Sequence, residues 1–171
     1  WGSSDRLDLV QALKTGGAVL MVRHALAPGN GDPDNFTIGD CATQRNLDAR
    51  GREQARDMGA YLRRHGISKV RLYSSQWCRC LETARQMQIG AVQPLPALNS
   101  FYQRPDERAG RIEALRAFLA KQPRDGEPIV LITHYVTITA LTGEGVASGE
   151  GVVLQLTHGA PKVLGRLDFT H

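Results

Sequence analysis

The sequence predicts an α/β fold, a three-layer sandwich in which helices flank a mainly parallel central sheet and a β-hairpin ends the chain. Short apolar runs without polar alternation, at residues 18–22 and 129–132, are typical of strands buried on both faces of a sheet. Segments with helical spacing of apolar residues separate these runs, which favours parallel βα units. Two β-rich segments near the end, 152–157 and 163–168, are joined by a glycine-containing turn and predict the hairpin.

The first half of the chain is predicted to contain two strands and three helices. The strands are residues 18–22 and 70–73, and the helices are residues 8–14, 48–65 and 75–87. Asp48 and Ser75 are residue types that cap helix N-termini, and each stands at the start of one of these helices. About twenty residues, 26–46, join the first strand to the second helix and are rich in Gly, Pro, Asn and Asp. A connection of that length without periodicity is often functional.

The second half continues the alternation. Residues 92–95 and 129–132 are predicted strands, and residues 112–119 form a predicted helix that Pro123 ends. Residues 135–141 are ambiguous, because their β-branched side chains favour a strand while their position after a strand favours a helix.

Length and composition indicate one globular domain covering residues 1–171. Apolar residues make up 42% and charged residues 22%, which argues against wholesale disorder. The longest apolar run has only a few residues, so we expect no membrane span. The net charge is +4 and arginine supplies most of the cations, which favours a small anionic ligand rather than nucleic acid.

The three cysteines, Cys41, Cys78 and Cys80, leave two alternatives open: one disulfide formed by Cys41 with a remaining free thiol, or three free thiols. A Cys-x-Cys pair with scattered histidines is a weak zinc pattern, so we expect no metal. The phosphate-binding and dinucleotide-binding glycine motifs do not occur, and we expect no cofactor.

Polar residues follow three of the predicted strands: Arg23-His24, Ser74-Ser75 with Arg79 a turn later, and Thr133-His134. Ligands of open parallel sheets bind in the crevice at the carboxyl ends of the strands, so these side chains are predicted to converge there. Arg79 lies early in a predicted helix, where a cation opposes the helix dipole. A bound anion would offset that cost, as would a salt bridge.

Two histidines among arginines suit phosphoryl transfer, which mostly needs positive charge around the transferring oxygens. A neutral imidazole can attack phosphorus and form a phosphohistidine that water later hydrolyses. Neighbouring cations keep such an imidazole unprotonated. Arg45 is a further candidate for binding the phosphoryl group, although surface arginines are commoner.

Four motifs resemble the histidine phosphatase superfamily, whose fold is phosphoglycerate-mutase-like: Val22-Arg23-His24, the segment 46–55, Ser74-Ser75 with Arg79 and Thr83-Ala84, and Thr133-His134. Their order and spacing match over roughly residues 18–142. The resemblance implies a metal-independent phosphomonoester hydrolase. It further implies that His24 is the phosphorylated nucleophile, and that the phosphoryl group is bound by Arg23, Arg79 and His134.

Two sequence segments, residues 40–46 and 75–80, most resemble a bacterial subgroup that includes lipopolysaccharide core heptose phosphatases. Those proteins usually enter the cell envelope. The resemblance therefore implies a sugar phosphate substrate and a periplasmic or envelope location, with a cytoplasmic location left open. The oligomeric state is not predicted.

The general acid is not where the family places it. Ser100 stands at the position of the usual proton-donor Glu, and Tyr135 stands where another branch has Asp. A smaller departure is Ala25, where the commonest motif has Gly. We expect the acid among five other carboxyl groups: Asp32, Asp34, Asp40, Asp106 and Glu107.

Among these five, Asp40 is favoured because it lies in the subgroup-like stretch and has no helix-capping explanation, and Glu107 comes next. The missing acid leaves two further interpretations open, a phosphohistidine-protein phosphatase and a non-catalytic phosphate-binding module. A mutase is disfavoured, because it normally needs longer insertions than 171 residues leave room for.

Overall fold

A six-stranded sheet forms the centre of the computed structural model, which describes residues 3–170. The strands are β1 (Ala18–Arg23), β2 (Arg71–Ser74), β3 (Val92–Pro94), β4 (Ile129–Thr133), β5 (Gly151–Gln155) and β6 (Lys162–Leu167). Their order across the sheet is β3-β2-β4-β1-β5-β6. The pairs β3–β2, β2–β4 and β4–β1 are parallel, whereas β1–β5 and β5–β6 are antiparallel. The predicted α/β fold and its C-terminal hairpin are confirmed.

Helices cover both faces of this sheet. They are α1 (Ser3–Thr15), α2 (Ala49–Arg64), α3 (Cys78–Met87), α4 (Arg108–Ala120) and α5 (Tyr135–Thr142). Leu20 and Val22 of β1 pack in one apolar cluster with α1, α2 and α3, whereas Val19 and Met21 pack in a second cluster with α4 and α5. This alternation follows from the two-residue period of a strand and produces the three predicted layers.

The structure resolves the ambiguity at residues 135–141 in favour of a helix. Helix α5 begins directly after His134 and ends at Gly143, whose φ of 78° is the left-handed conformation that glycine adopts readily. Short 3₁₀ helices at Cys41–Thr43, Pro96–Leu98 and Pro105–Glu107 lie in the connections. In the described part of the chain, no helix has both the length and the apolar character required to cross a membrane.

One of the two predicted helix caps is confirmed and the other is wrong. Asp48 accepts a hydrogen bond from the Gly51 amide at 2.9 Å and caps α2. Helix α3 starts later than expected, with Trp77 at its N-cap position and no side-chain cap. The hydroxyl of Ser75 is instead 2.8 Å from a ring nitrogen of His134.

Helices α2 and α3 approach each other closely at Gly59. A Cβ atom at that position would lie 1.9 Å from the carbonyl oxygen of Met87. Only glycine permits this contact, which brings α3 and its N-terminal residues against α2.

Candidate active site

The two histidines lie side by side because their strands are neighbours in the sheet. Arg23 at the end of β1 pairs in register with Thr133 at the end of β4. The next residue continues the pairing, since the His24 amide donates to the Thr133 carbonyl at 3.0 Å. The rings of His24 and His134 are 5.7 Å apart, and both residues are buried. The predicted convergence at the carboxyl ends of the strands is present in the structure.

His24 presents an unprotonated ring nitrogen to this site. Its Nδ1 lies 2.8 Å from the carbonyl oxygen of Ala25, which can only accept, so Nδ1 carries the proton. The Nε2 atom then has a lone pair, and it accepts a hydrogen bond from Nε of Arg79 at 3.2 Å. Burial, together with the charges of Arg79 and other arginines, lowers the pKa of His24 to about 3. The imidazole is therefore neutral at physiological pH.

Arg79 connects two functional groups through one guanidinium. It is buried in the first turn of α3, and its Nη1 atom donates to Oδ1 of Asp32 at 2.9 Å while Nε contacts His24. The Asp32 side chain is only 4% exposed, so this ion pair is shielded from solvent. It offsets the unfavourable placement of a cation near a helix N-terminus.

His134, beside His24, is also held neutral. Burial and the nearby charged groups lower its pKa well below the usual value. Its Nε2 atom is 2.8 Å from Oγ of Ser75 and 3.5 Å from Sγ of Cys80. Burial raises the pKa of Cys80 to about 12, so that side chain stays a thiol. Ser75 therefore orients His134, a contact that the sequence did not indicate.

Arg23 and Arg45 complete the cationic wall of a cavity of about 770 Å³ that both histidines and Arg79 also line. Arg23 donates to the Val146 carbonyl at 3.1 Å, and its buried Nε has no hydrogen-bond partner within residues 3–170. Arg45 donates to the Gly31 carbonyl at 2.7 Å and to the Ala27 carbonyl, so it also holds the long loop in place. The structure thus brings Arg45 to the predicted site.

The sequence segment 19–101 matches the model of the histidine phosphatase superfamily (branch 1). This segment of the chain is similar to the histidine phosphatase superfamily. Solved structures share its fold over nearly their whole length. The protein histidine phosphatase SixA complexed with tungstate is 17% identical, with a TM-score of 0.63 over 89% of this chain and 97% of SixA. The alpha-ribazole phosphatase of Shigella flexneri is 18% identical, with a TM-score of 0.61 over 85% and 94% of the two chains. No curated protein sequence matches significantly.

A disulfide joins the long loop to the helix that carries Arg79. It links Cys41 to Cys78, whose Cα atoms are 5.7 Å apart, and leaves Cys80 as a buried free thiol. The first of the two cysteine alternatives is therefore the one observed. Stacking of Phe36 on Trp77, with ring centroids 4.7 Å apart, adds a second contact between loop and helix.

The structure does not bring Asp40 into the cavity. Asp40 is exposed and its carboxylate accepts from the Ala42 amide at 3.2 Å, so it caps the short 3₁₀ helix at Cys41–Thr43. This geometry gives Asp40 the capping explanation that the sequence did not suggest. Asp40 lies outside the cavity, so its position contradicts the expectation that it supplies the proton there.

Among the described residues, the cavity is lined by three carboxyl groups, those of Asp32, Asp34 and Glu107. Glu107 was the second choice from sequence, and it is paired with Arg111 at 3.0 Å and with Arg104 at 3.8 Å. Asp32 was one of the five candidate acids from sequence but was not favoured, and its place beside Arg79 is a finding of the structure. No periodic signal in the loop indicated it.

Proposed function

We propose that the protein is a phosphomonoester hydrolase that works through a phosphohistidine formed on His24. The observation that carries the proposal is the lone pair on Nε2 of His24, which faces the Arg79 guanidinium in a cavity that Arg23 and Arg45 also line. A neutral, oriented imidazole beside a cationic oxyanion site is what nucleophilic attack on phosphorus requires. The match of residues 19–101 to the superfamily model and the structural likeness to phosphatases support the same reaction class.

Each residue of the wall has a role in this reaction. Arg23 and Arg79 donate to the equatorial phosphoryl oxygens, and the unpartnered Nε of Arg23 is a donor available for one of them. His134, oriented by Ser75, provides a further contact to the phosphoryl group. Arg45 adds positive charge to the same wall. These charges neutralise the developing anion without a metal, so we expect activity to survive a chelator.

The substrate we propose is a sugar phosphate of the cell envelope. A cavity of about 770 Å³ falls in the range of sites that enclose a whole small molecule. Exposed aromatic rings of Tyr102 and Tyr135 line it together with polar side chains such as Asn30 and Gln103, a combination suited to hydroxyl-rich ligands. The Cys41–Cys78 disulfide supports an oxidising compartment such as the periplasm.

A second candidate is a phosphohistidine-protein phosphatase. The structural likeness to SixA, described as a protein histidine phosphatase, favours it, because the leaving imidazole of such a substrate depends less on an acid. Turnover of phosphorylated sugars, a phosphohistidine protein and nucleotides, compared by kcat/KM, separates the two candidates. Preference for the sugar phosphates supports our proposal, and preference for the protein substrate refutes its substrate assignment.

The nucleophile is tested by His24→Ala with His158→Ala as the matched control. His158 is exposed in a turn far along the chain, so its loss should leave turnover unchanged. We expect His24→Ala to lose at least about a thousandfold in kcat, as removal of a nucleophile does. Rapid quenching with labelled substrate should trap the phosphoryl group on His24. Label on any other residue, or binding without turnover in the wild type, would contradict the mechanism.

A further inference from the structure

One carboxyl group of the cavity lies beside the reacting centre. Asp32 Oδ1 is 2.9 Å from Nη1 of Arg79, and Nε of the same guanidinium is 3.2 Å from Nε2 of His24. Two hydrogen bonds through one planar group therefore separate the carboxylate from the proposed nucleophile. A phosphoryl group that binds the Nε and Nη1 atoms of Arg79 would therefore meet both groups at this guanidinium.

The other two carboxyl groups of the cavity lack this placement. Glu107 has one oxygen paired with Arg111 and the other with Arg104, so both of its oxygens already have cationic partners. Asp34 is exposed to solvent. The Asp32 side chain is 4% exposed, which shields a proton on it from exchange with bulk water.

We propose that Asp32 is the general acid that protonates the leaving group, an assignment that rests on the phosphomonoesterase function proposed above. Asp32 accepts from Arg79 Nη1 and the Arg45 amide on Oδ1, and from Trp77 Nε1 on Oδ2. An arriving phosphoryl group takes over the N–H groups of Arg79. The carboxylate released from Arg79 is then free to take up a proton and pass it to the leaving oxygen.

The proton balance is closed by the substrate itself. A monoester that enters as its monoanion gives its proton to Asp32 Oδ1 as Arg79 turns to the phosphoryl oxygens. His24 Nε2 then donates its electron pair to phosphorus. The bond from phosphorus to the ester oxygen breaks, and that oxygen keeps the electron pair and takes the proton from Asp32. In the second half, water attacks phosphorus and gives a proton to Asp32, while the electron pair of the N–P bond returns to Nε2. The departing phosphate then takes this proton from Asp32 and leaves as its monoanion, which restores the carboxylate that pairs with Arg79.

Asp32 is tested by the leaving-group dependence of Asp32→Asn. An alkyl phosphate needs a protonated leaving group, whereas p-nitrophenyl phosphate hardly does. We expect kcat on the alkyl phosphate to fall at least about a hundredfold, and kcat on p-nitrophenyl phosphate to fall less than about tenfold. Asp34→Asn is the matched control in the same cavity wall, and Glu107→Gln tests the competing acid. Neither should change the ratio of the two rates.

Equal losses of kcat on both substrates would overturn the proposal, and Asp32 would then be a positioning residue for Arg79. An unchanged ratio, or a changed ratio in Glu107→Gln, would overturn it as well. Should Asp32→Asn fail to fold, Asp32→Ser removes the donor with less bulk and carries the same prediction. Absence of a labelled His24 in the wild type refutes the proposed function, whereas a labelled His24 with an unchanged ratio refutes only the assignment of Asp32.

Discussion

Removal of the Cys41–Cys78 disulfide should cost the fold a large part of its stability. The bond closes a loop with a sequence separation of 37, and chain entropy then predicts a loss of about 4 kcal/mol on opening it. For a chain of this size, that loss corresponds to a fall in Tm of about 8–16 °C. The loop also carries Asp32 and Arg45, so the KM for substrate should rise when the bond is opened.

The assay is thermal unfolding of the wild type with and without reducing agent, beside the double variant Cys41→Ser/Cys78→Ser. The double variant should unfold at the temperature of the reduced wild type and should not respond to reductant. Cys80→Ala is the matched control, because it removes the buried free thiol and should keep the response to reductant. Thiol titration of the unfolded, unreduced protein should find one reactive group. Three reactive groups in protein folded under oxidising conditions, or a Tm shift below about 2 °C, would refute the reasoning.

Two further predictions concern packing and pH. Gly59→Ala should lower the free energy of unfolding by at least about 2 kcal/mol, because the new Cβ would lie 1.9 Å from the carbonyl oxygen of Met87. Gly110→Ala, in open space on α4, should raise the free energy of unfolding by about 0.8 kcal/mol. Denaturant titration measures both values, and equal values would contradict this prediction. Burial and Arg79 lower the pKa of His24 to about 3. Below about pH 6.5, His24 is therefore protonated in the unfolded chain while it is still neutral in the folded protein. Stability should therefore fall as the pH falls from about 6.5 to about 3, by up to about 1.4 kcal/mol per pH unit from this group. Unfolding of His24→Asn should show a shallower slope, and identical slopes would exclude the assignment.

The parts of the fold that follow local rules could be predicted from the sequence. The apolar runs of β1 and β4 read as buried strands because both faces of the sheet are covered by helices. Adjacent parallel strands then bring Arg23, His24 and His134 together by topology alone. The cap at Asp48 was equally local, since its partner Gly51 is three residues away.

The parts that depend on long-range contacts could not be predicted. Asp32 meets Arg79 across 47 residues of sequence, and Ser75 meets His134 across 59 residues. Asp40 looked free of other roles because the 3₁₀ helix that it caps has no sequence period. In a connection without periodicity, tertiary contacts and the disulfide decide which carboxylate faces inward, and the sequence does not display them.

The register between β1 and β4 separates the chemistry of this molecule from its choice of substrate. The nucleophile and its partner histidine are held by the backbone ladder, in which the His24 amide bonds to the Thr133 carbonyl. Other parts of the cavity lining come from segments outside the sheet that exclude Asp32, residues 33–38 and 100–111. Exchange of those segments for others of similar length leaves the strand ends in place. Related chains can therefore diverge in what they accept while the phosphoryl-transfer machinery stays constant, and the same division makes the two segments the rational sites for grafting new specificity.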